Sequence, residues 1–318
     1  MSATVRFTKG LHEIGDGLWA YLQPSGTWGY SNAGLVAGGE SATLVDTLFD
    51  LRLTREMLDA MAPVTASSPI DVLVNTHANG DHCFGNELVP DRAKIYATVA
   101  AAEEMKLFPA SVLHELKRAE ADDVREFAQY AFGDFDFEEV SGRAPDQTFT
   151  DRLTMHVGDR RIELMDLGPA HTHSDTVVVV PDARTVFTGD LVFVQGTPIM
   201  WAGPLDNWLR ACDTLCELDV DTFVPGHGPI TDRQGVLDIR RYFEHVHAQV
   251  TERHAAGMAS IEAAFDLDLG EFADWPDYER VVVTVDGIYR ELDPEHVSPA
   301  PTELFALMLR YRREGGAR

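Results

Sequence analysis

The stretch Asn75-Thr76-His77-Ala78-Asn79-Gly80-Asp81-His82 packs two imidazoles, a carboxylate and two carboxamides into eight residues. Imidazole and carboxylate are the ligand set of zinc and its transition-metal neighbours. Three more candidates lie downstream: His171 in Gly168-Pro169-Ala170-His171-Thr172-His173, Asp190 in Thr188-Gly189-Asp190, and His227 in Pro225-Gly226-His227-Gly228. Each closes an apolar run and stands near Gly or Pro. That is how strand ends gather distant side chains into one rigid site. A metal ion held there lowers the pKa of bound water toward neutrality, producing a hydroxide that attacks a carbonyl polarised by the same or a neighbouring ion. Asp81 or Asp190 orients that water and accepts its proton. The chain contains no Gly-x-Ser-x-Gly elbow to suggest a serine nucleophile instead.

The elements that must position these residues are legible in outline. Residues 18–22, 34–36 and 43–46 read as strands of a meander, 51–61 as a helix, and Val72-Leu73-Val74 as a buried strand feeding the motif. Residues 153–227 repeat the logic, with a helix over 205–218. Strands interleaved with helices imply α/β layering. Between the halves, residues 97–141 carry apolar side chains at helical spacing and end in an aromatic cluster. They are expected to form a helical lid over the cleft, although packing accounts for most of the stripe. Asp46, at a strand end, is read equally as support for a metal ligand and as a turn carboxylate. In the Gly/Pro-rich loop after Asp190, Met200 and Trp201 are the candidates for a substrate-pocket wall, with packing between sheet and lid as the competing role. His173 is expected at the rim, and Cys83, Cys212 and Cys216 as core residues rather than ligands.

Taken in order, His-x-Asn-x-Asp-His, Ala-His-Thr, Thr-Gly-Asp and Pro-Gly-His-Gly resemble the motifs of the metallo-β-lactamase superfamily, over residues 11–227. The resemblance implies an αββα sandwich, one metal position bound by His77, residue 79 and His171, and another bound by Asp81, His82 and His227, with Asp190 bridging. The family pattern has a second histidine where this chain has Asn79. A carboxamide oxygen is a poorer zinc donor than imidazole, so the second position is expected to be the tighter one. His77, His171 and Asp190 alone also make the two-histidine, one-carboxylate set that suits iron(II), as in the persulfide dioxygenases of the superfamily.

The expected function is thus metal-dependent hydrolysis of an ester, thioester, lactone or related acyl bond. Its rivals are a metal-assisted polyketide cyclase, thioesterase or lyase and an iron-dependent oxygenase. The cofactor expected is zinc, one or two ions per chain, with iron or manganese as alternatives. The net charge of −26 argues against nucleic acid as partner, because phosphate backbones need a basic footprint. No apolar run reaches membrane-spanning length, so no membrane partner is expected either. The partners expected are a small-molecule acyl substrate, free or attached to a carrier or coenzyme A, and a second copy of the chain in a homodimer. Three cysteines and the absence of a basic-then-apolar N-terminus fit a cytoplasmic setting. With 318 residues and no linker or repeat, residues 1–318 are read as one domain, with the lid at 97–141 and a helical and stranded extension over 231–318.

Overall fold

In the computed structural model, which describes residues 5–315, the period-two alternation of strands decides the layering. Along Leu18-Trp19-Ala20-Tyr21-Leu22, the side chains of Leu18, Ala20 and Leu22 pack against a second sheet, and Tyr21 turns to the helical side. The first sheet runs in chain order: β1 (Gly10–Gly15), β2 (Leu18–Leu22), β3 (Ala33–Gly38), β4 (Ser41–Val45), β5 (Ile70–Val74), β6 (Lys94–Thr98) and β7 (Gln147–Phe149). It is antiparallel up to β4 and parallel from there on. The second sheet runs β8 (Arg152–Val157), β9 (Arg160–Asp166), β10 (Thr176–Val180), β11 (Thr185–Phe193) and β12 (Thr222–His227), with only β11 and β12 parallel. All five residues of β10 are buried because both faces of this sheet are covered: Val178 and Val180 face the first sheet, and Val177 and Val179 face helices.

The helices are α1 (Leu51–Thr65), α2 (Gly80–Cys83), α3 (Val99–Glu104), α4 (Ala110–Leu116), α5 (Asp122–Phe132), α6 (Leu205–Glu217), α7 (Arg233–Ala255), α8 (Ser260–Phe265), α9 (Val281–Leu292) and α10 (Pro301–Glu314). Helix α1 starts where Asp50 Oδ1 accepts from Leu53 N at 2.7 Å, and it lays Leu53, Met57 and Met61 against the first sheet. Helix α6 covers the second sheet with Trp208, Cys212 and Leu215, and Trp208 Nε1 donates to Leu191 O of β11 at 3.1 Å. The result is the expected αββα sandwich.

Within residues 97–141, the end of β6 is followed by α3, α4 and α5. The apolar stripe of α5 packs on α10, with the Phe127 and Phe305 rings stacked 5.3 Å apart. Phe135 and Phe137 surround Phe49 at 4.8 and 4.9 Å. Those side chains have the packing role. The extension beyond β12 differs from expectation: among the described residues it contains helices and no strand. Its β-branched run Val281-Val282-Val283-Thr284-Val285 opens α9, buried throughout among α7, α8 and α10. Burial on every side overrides the intrinsic preference of valine for strands. No helix among the described residues is long and apolar enough to cross a membrane.

Candidate metal centre

The motif strand β5 ends at Val74, and residues 75–79 lead into the one-turn helix α2, which lifts Asp81 and His82 out of the turn. His171 comes from the loop between β9 and β10, Asp190 from within β11, and His227 from the last residue of β12. The parallel pairing of β11 with β12 sets Phe193 beside His227, and their rings stack 5.1 Å apart. Two glycines make the approach close enough. Gly189 has φ +51°, and a Cβ there would lie 2.7 Å from Thr76 Oγ1. At Gly226 a Cβ would lie 1.9 Å from Asp190 Oδ1, so a side chain here would push the carboxylate aside.

Asp190 stands at the middle of the four imidazoles. Its carboxylate oxygens lie 3.1 Å from His82 Nε2, 3.3 Å from His171 Nε2, 3.5 Å from His227 Nε2 and 3.8 Å from His77 Nε2. Asp81 Oδ2 is 3.3 Å from His227 Nε2. The other nitrogen of each ring faces outward to an acceptor. His171 Nδ1 donates to Ile199 O at 2.7 Å and His227 Nδ1 to Gly26 O at 3.1 Å. His82 Nδ1 donates to Asp46 Oδ2 at 2.9 Å. His77 Nδ1 lies 2.9 Å from Thr76 Oγ1, whose own hydrogen goes to Asp46 Oδ2 at 2.8 Å, so this imidazole donates too. With Nδ1 donating in every ring, the Nε2 atoms of His77, His82 and His227 can present a lone pair to the centre.

These residues fit a metal ion. His77 Nε2 is buried and has no hydrogen-bond partner, and His82 Nε2 and Asp190 Oδ1, equally buried, face each other at 3.1 Å without making a well-formed hydrogen bond. Polar atoms this deep are normally satisfied, and a cation would satisfy all three. Two groups have ligand atoms within 4.8 Å of one another: His77, His82 and Asp190, and Asp81, His82 and His227. The electrostatics agree. Burial alone would raise both carboxyls, but His227 and His82 hold Asp190 well below the usual carboxylate range, and His82 and His227 hold Asp81 at about 2. Burial would discharge His82 and His227, yet Asp190 and Asp81 outweigh it, pushing His82 upward and His227 to about 9. Burial wins at His77 and His171, whose values fall. Without metal, protons on two histidines stand in for the cation.

Every candidate ligand from the sequence is therefore brought to one place, with one difference in detail. The amide nitrogen of Asn79 lies 3.0 Å from His171 Nε2, so this carboxamide meets the imidazole rather than standing beside it as a second ligand. Of the two readings of Asp46, the buried geometry matches support of a ligand. The residue sits at φ +61°, Oδ1 accepts from Thr76 N at 2.7 Å, and Oδ2 accepts from His82 and Thr76. His173 lies at the rim, paired with Glu104 at 2.9 Å. Asp175 ties the His171 loop through Ala170 N and Thr172. Trp201, half-buried, is held beside the centre by its backbone N–H, which donates to His171 O at 3.0 Å. Met200 is corrected: it is fully buried, and its methyl would lie 2.6 Å from a Cβ at Gly287 of α9, so it packs the core and offers no open wall. Thr76, Gly26 O and Ile199 O escaped sequence reasoning. The last two act through backbone carbonyls, which carry no residue-type signal.

A family model described as "Metallo-beta-lactamase superfamily" matches residues 26–227. Among curated proteins, the chain is 25% identical over 217 residues to the Beta-lactamase-like protein 2 homolog of Caenorhabditis elegans, a match spanning 68% of this chain and 61% of that protein. Among solved structures it is similar to the inverting sec-alkylsulfatase Pisa1 from Pseudomonas sp., with TM-score 0.67, 18% identity, and coverage of 92% of this chain and 52% of that one. It is also similar to a metallo-beta-lactamase from Pontibacter korlensis, with TM-score 0.55, 22% identity, and coverage of 74% and 99%. The chain thus spans about three fifths of the curated relative and half of the sulfatase. At these identities the two structures speak for the fold alone.

Proposed function

Because the chain belongs to the metallo-β-lactamase superfamily, we propose that it is a metal-dependent hydrolase of a small-molecule ester, thioester, lactone or related acyl bond. The observation that carries this reading is the buried cluster of His77, His82 and Asp190, whose ligand atoms lie within 4.8 Å of one another and in which His77 Nε2 has no hydrogen-bond partner. His77, His82 and Asp190, joined through His82 by Asp81 and His227, would hold the ion, and a site of nitrogen and carboxylate ligands suits zinc. Bound there, the ion supplies Lewis acidity, which lowers the pKa of water and polarises a carbonyl.

The protein's own groups divide the remaining work. Asp190 is buried and anchors the imidazoles. Asp81 is half-buried, so it is the carboxylate that meets water entering from solvent. Asp81 orients that water and takes its proton as the oxygen adds to the acyl carbon. The carbon–heteroatom bond then breaks, and the departing heteroatom carries off the proton. The iron-oxygenase alternative needs a free lone pair on His171 Nε2, and Asn79 occupies it.

The test is hydrolysis of p-nitrophenyl acetate, a thiophenyl ester and a lactone before and after chelation and zinc return. Loss on chelation, recovery with zinc, and a product that has gained one water are the expected results. Turnover of a secondary alkyl sulfate with none of an acyl compound would contradict the reading, as would a product formed without gain of water.

The histidines add a pH signature. His227, raised from 6.5 to about 9, stabilises the metal-free protein fully below pH 6.5, and that contribution is lost as pH rises through about 9. Metal must displace the same proton, so metal binding strengthens over the same window. Thermal melts should show the gap between metal-loaded and metal-free protein widening between these limits. A constant gap would mean that no proton is exchanged for the ion.

A further inference from the structure

The half of the centre containing Asn79 and His171 carries a role of its own. The hydrogen on His171 Nδ1 goes to Ile199 O at 2.7 Å, so Nε2 is an acceptor, and the group it meets at 3.0 Å is Asn79 Nδ2. The reversed amide would set an oxygen against that lone pair, which fixes the orientation of the carboxamide. Asn79 also occupies the residue before α2, where an asparagine side chain ordinarily caps the helix, yet it makes no capping bond. Its side chain is committed to the centre instead.

An amide nitrogen has two hydrogens, and His171 is the one partner of Asn79 Nδ2 among the described residues. Exposure decides where the second hydrogen is of use. His77, His82, His171, Asp190 and His227 are buried; Asn79 and Asp81 are the two half-buried members of the constellation. A substrate arriving from solvent meets these two first, one a neutral donor and the other a carboxylate.

We infer that Asn79 is a catalytic residue, a hydrogen-bond donor fixed by His171 that holds the carbonyl oxygen of the substrate's acyl group, and not a metal ligand. This rests on the acyl-hydrolase reading for the identity of the oxygen. A fixed donor aimed at the oxygen where negative charge develops typically contributes about 10²–10³-fold in rate.

The experiment compares wild type with Asn79→Ala and the isosteric Asn79→Asp. Three readouts are taken: metal content, the visible spectrum of the cobalt-loaded protein, and calorimetric binding of benzylphosphonate, whose tetrahedral oxygens imitate the acyl addition state. The Ala variant should keep the wild-type metal content and cobalt spectrum, bind benzylphosphonate at least about 10-fold more weakly, and lose about 10²–10³-fold in kcat on p-nitrophenyl acetate. The Asp variant, which cannot donate, should show the same phosphonate loss even if the Ala variant folds poorly. Loss of metal or a shifted cobalt spectrum in the Ala variant would make Asn79 a ligand and overturn the inference. Unchanged phosphonate affinity would overturn it as well. If wild type binds benzylphosphonate through Asn79 but hydrolyses no acyl compound, the donor role stands and the acyl-hydrolase reading fails.

Discussion

Asp190→Ala is expected to remove metal binding and hydrolysis together. Among the described residues no other carboxylate reaches all four imidazoles: Asp190 lies 3.1 to 3.8 Å from the four Nε2 atoms. Losing an outer hydrogen-bond partner of a ligand costs about 10–100-fold in metal affinity, so losing this inner group should exceed about 100-fold. Activity should fall with the loss of the ion, by more than about 100-fold at limiting metal. Asp190→Asn keeps the volume but not the charge and should fail similarly. The metal-free variants should also lose the raised titration of His227, because Asp190 leads the attractions holding its proton. Retention of stoichiometric metal in Asp190→Ala would place the ion elsewhere.

The second large effect is expected at Asp46, which touches no substrate. It is buried, and its two oxygens take hydrogen bonds from Thr76 N, Thr76 Oγ1 and His82 Nδ1 at 2.7 to 2.9 Å. Through Thr76 it also fixes His77. Asp46→Ala leaves three donors buried without an acceptor and puts a Cβ-bearing residue, no longer able to bond its neighbours, at φ +61°. Breaking a buried hydrogen-bonded charge network of this kind costs about 3–5 kcal/mol in stability. Asp46→Asn tolerates the backbone and keeps one acceptor oxygen, so its main cost should be about 10–100-fold in metal affinity. Denaturant unfolding and metal titration of the pair separate the two effects. Asp46→Asn with wild-type affinity would show that the orientation of His82 does not depend on this carboxylate.

How far the sequence carried these conclusions depended on where the information lay. His77, Asp81, His82, His171, Asp190 and His227 were legible because each stands at a strand end beside a turn residue, and strands return their ends to one edge of a sheet. Helices at 51–65 and 205–217 were legible from amphipathic spacing, to within a few residues at their ends. Asp46 was half legible: a carboxylate at a strand end has two ordinary roles, and only the 2.9 Å contact with His82, 36 residues away, separates them. Met200 was misleading because an apolar loop beside a metal ligand reads as a pocket wall until α9, nearly ninety residues later, is seen to cover it. Long-range packing of that kind leaves no local trace. Asn79 was visible as a departure from a pattern, but its partner was not, since the 3.0 Å contact to His171 joins residues 92 apart.

The most direct measurement is metal stoichiometry by elemental analysis, on protein equilibrated with excess zinc and then desalted. One zinc per chain is the expected result, held among His77, Asp81, His82, Asp190 and His227 while Asn79 occupies the lone pair of His171. Two tightly held ions per chain would contradict the assignment of Asn79 as a donor, and none would contradict the metal centre itself.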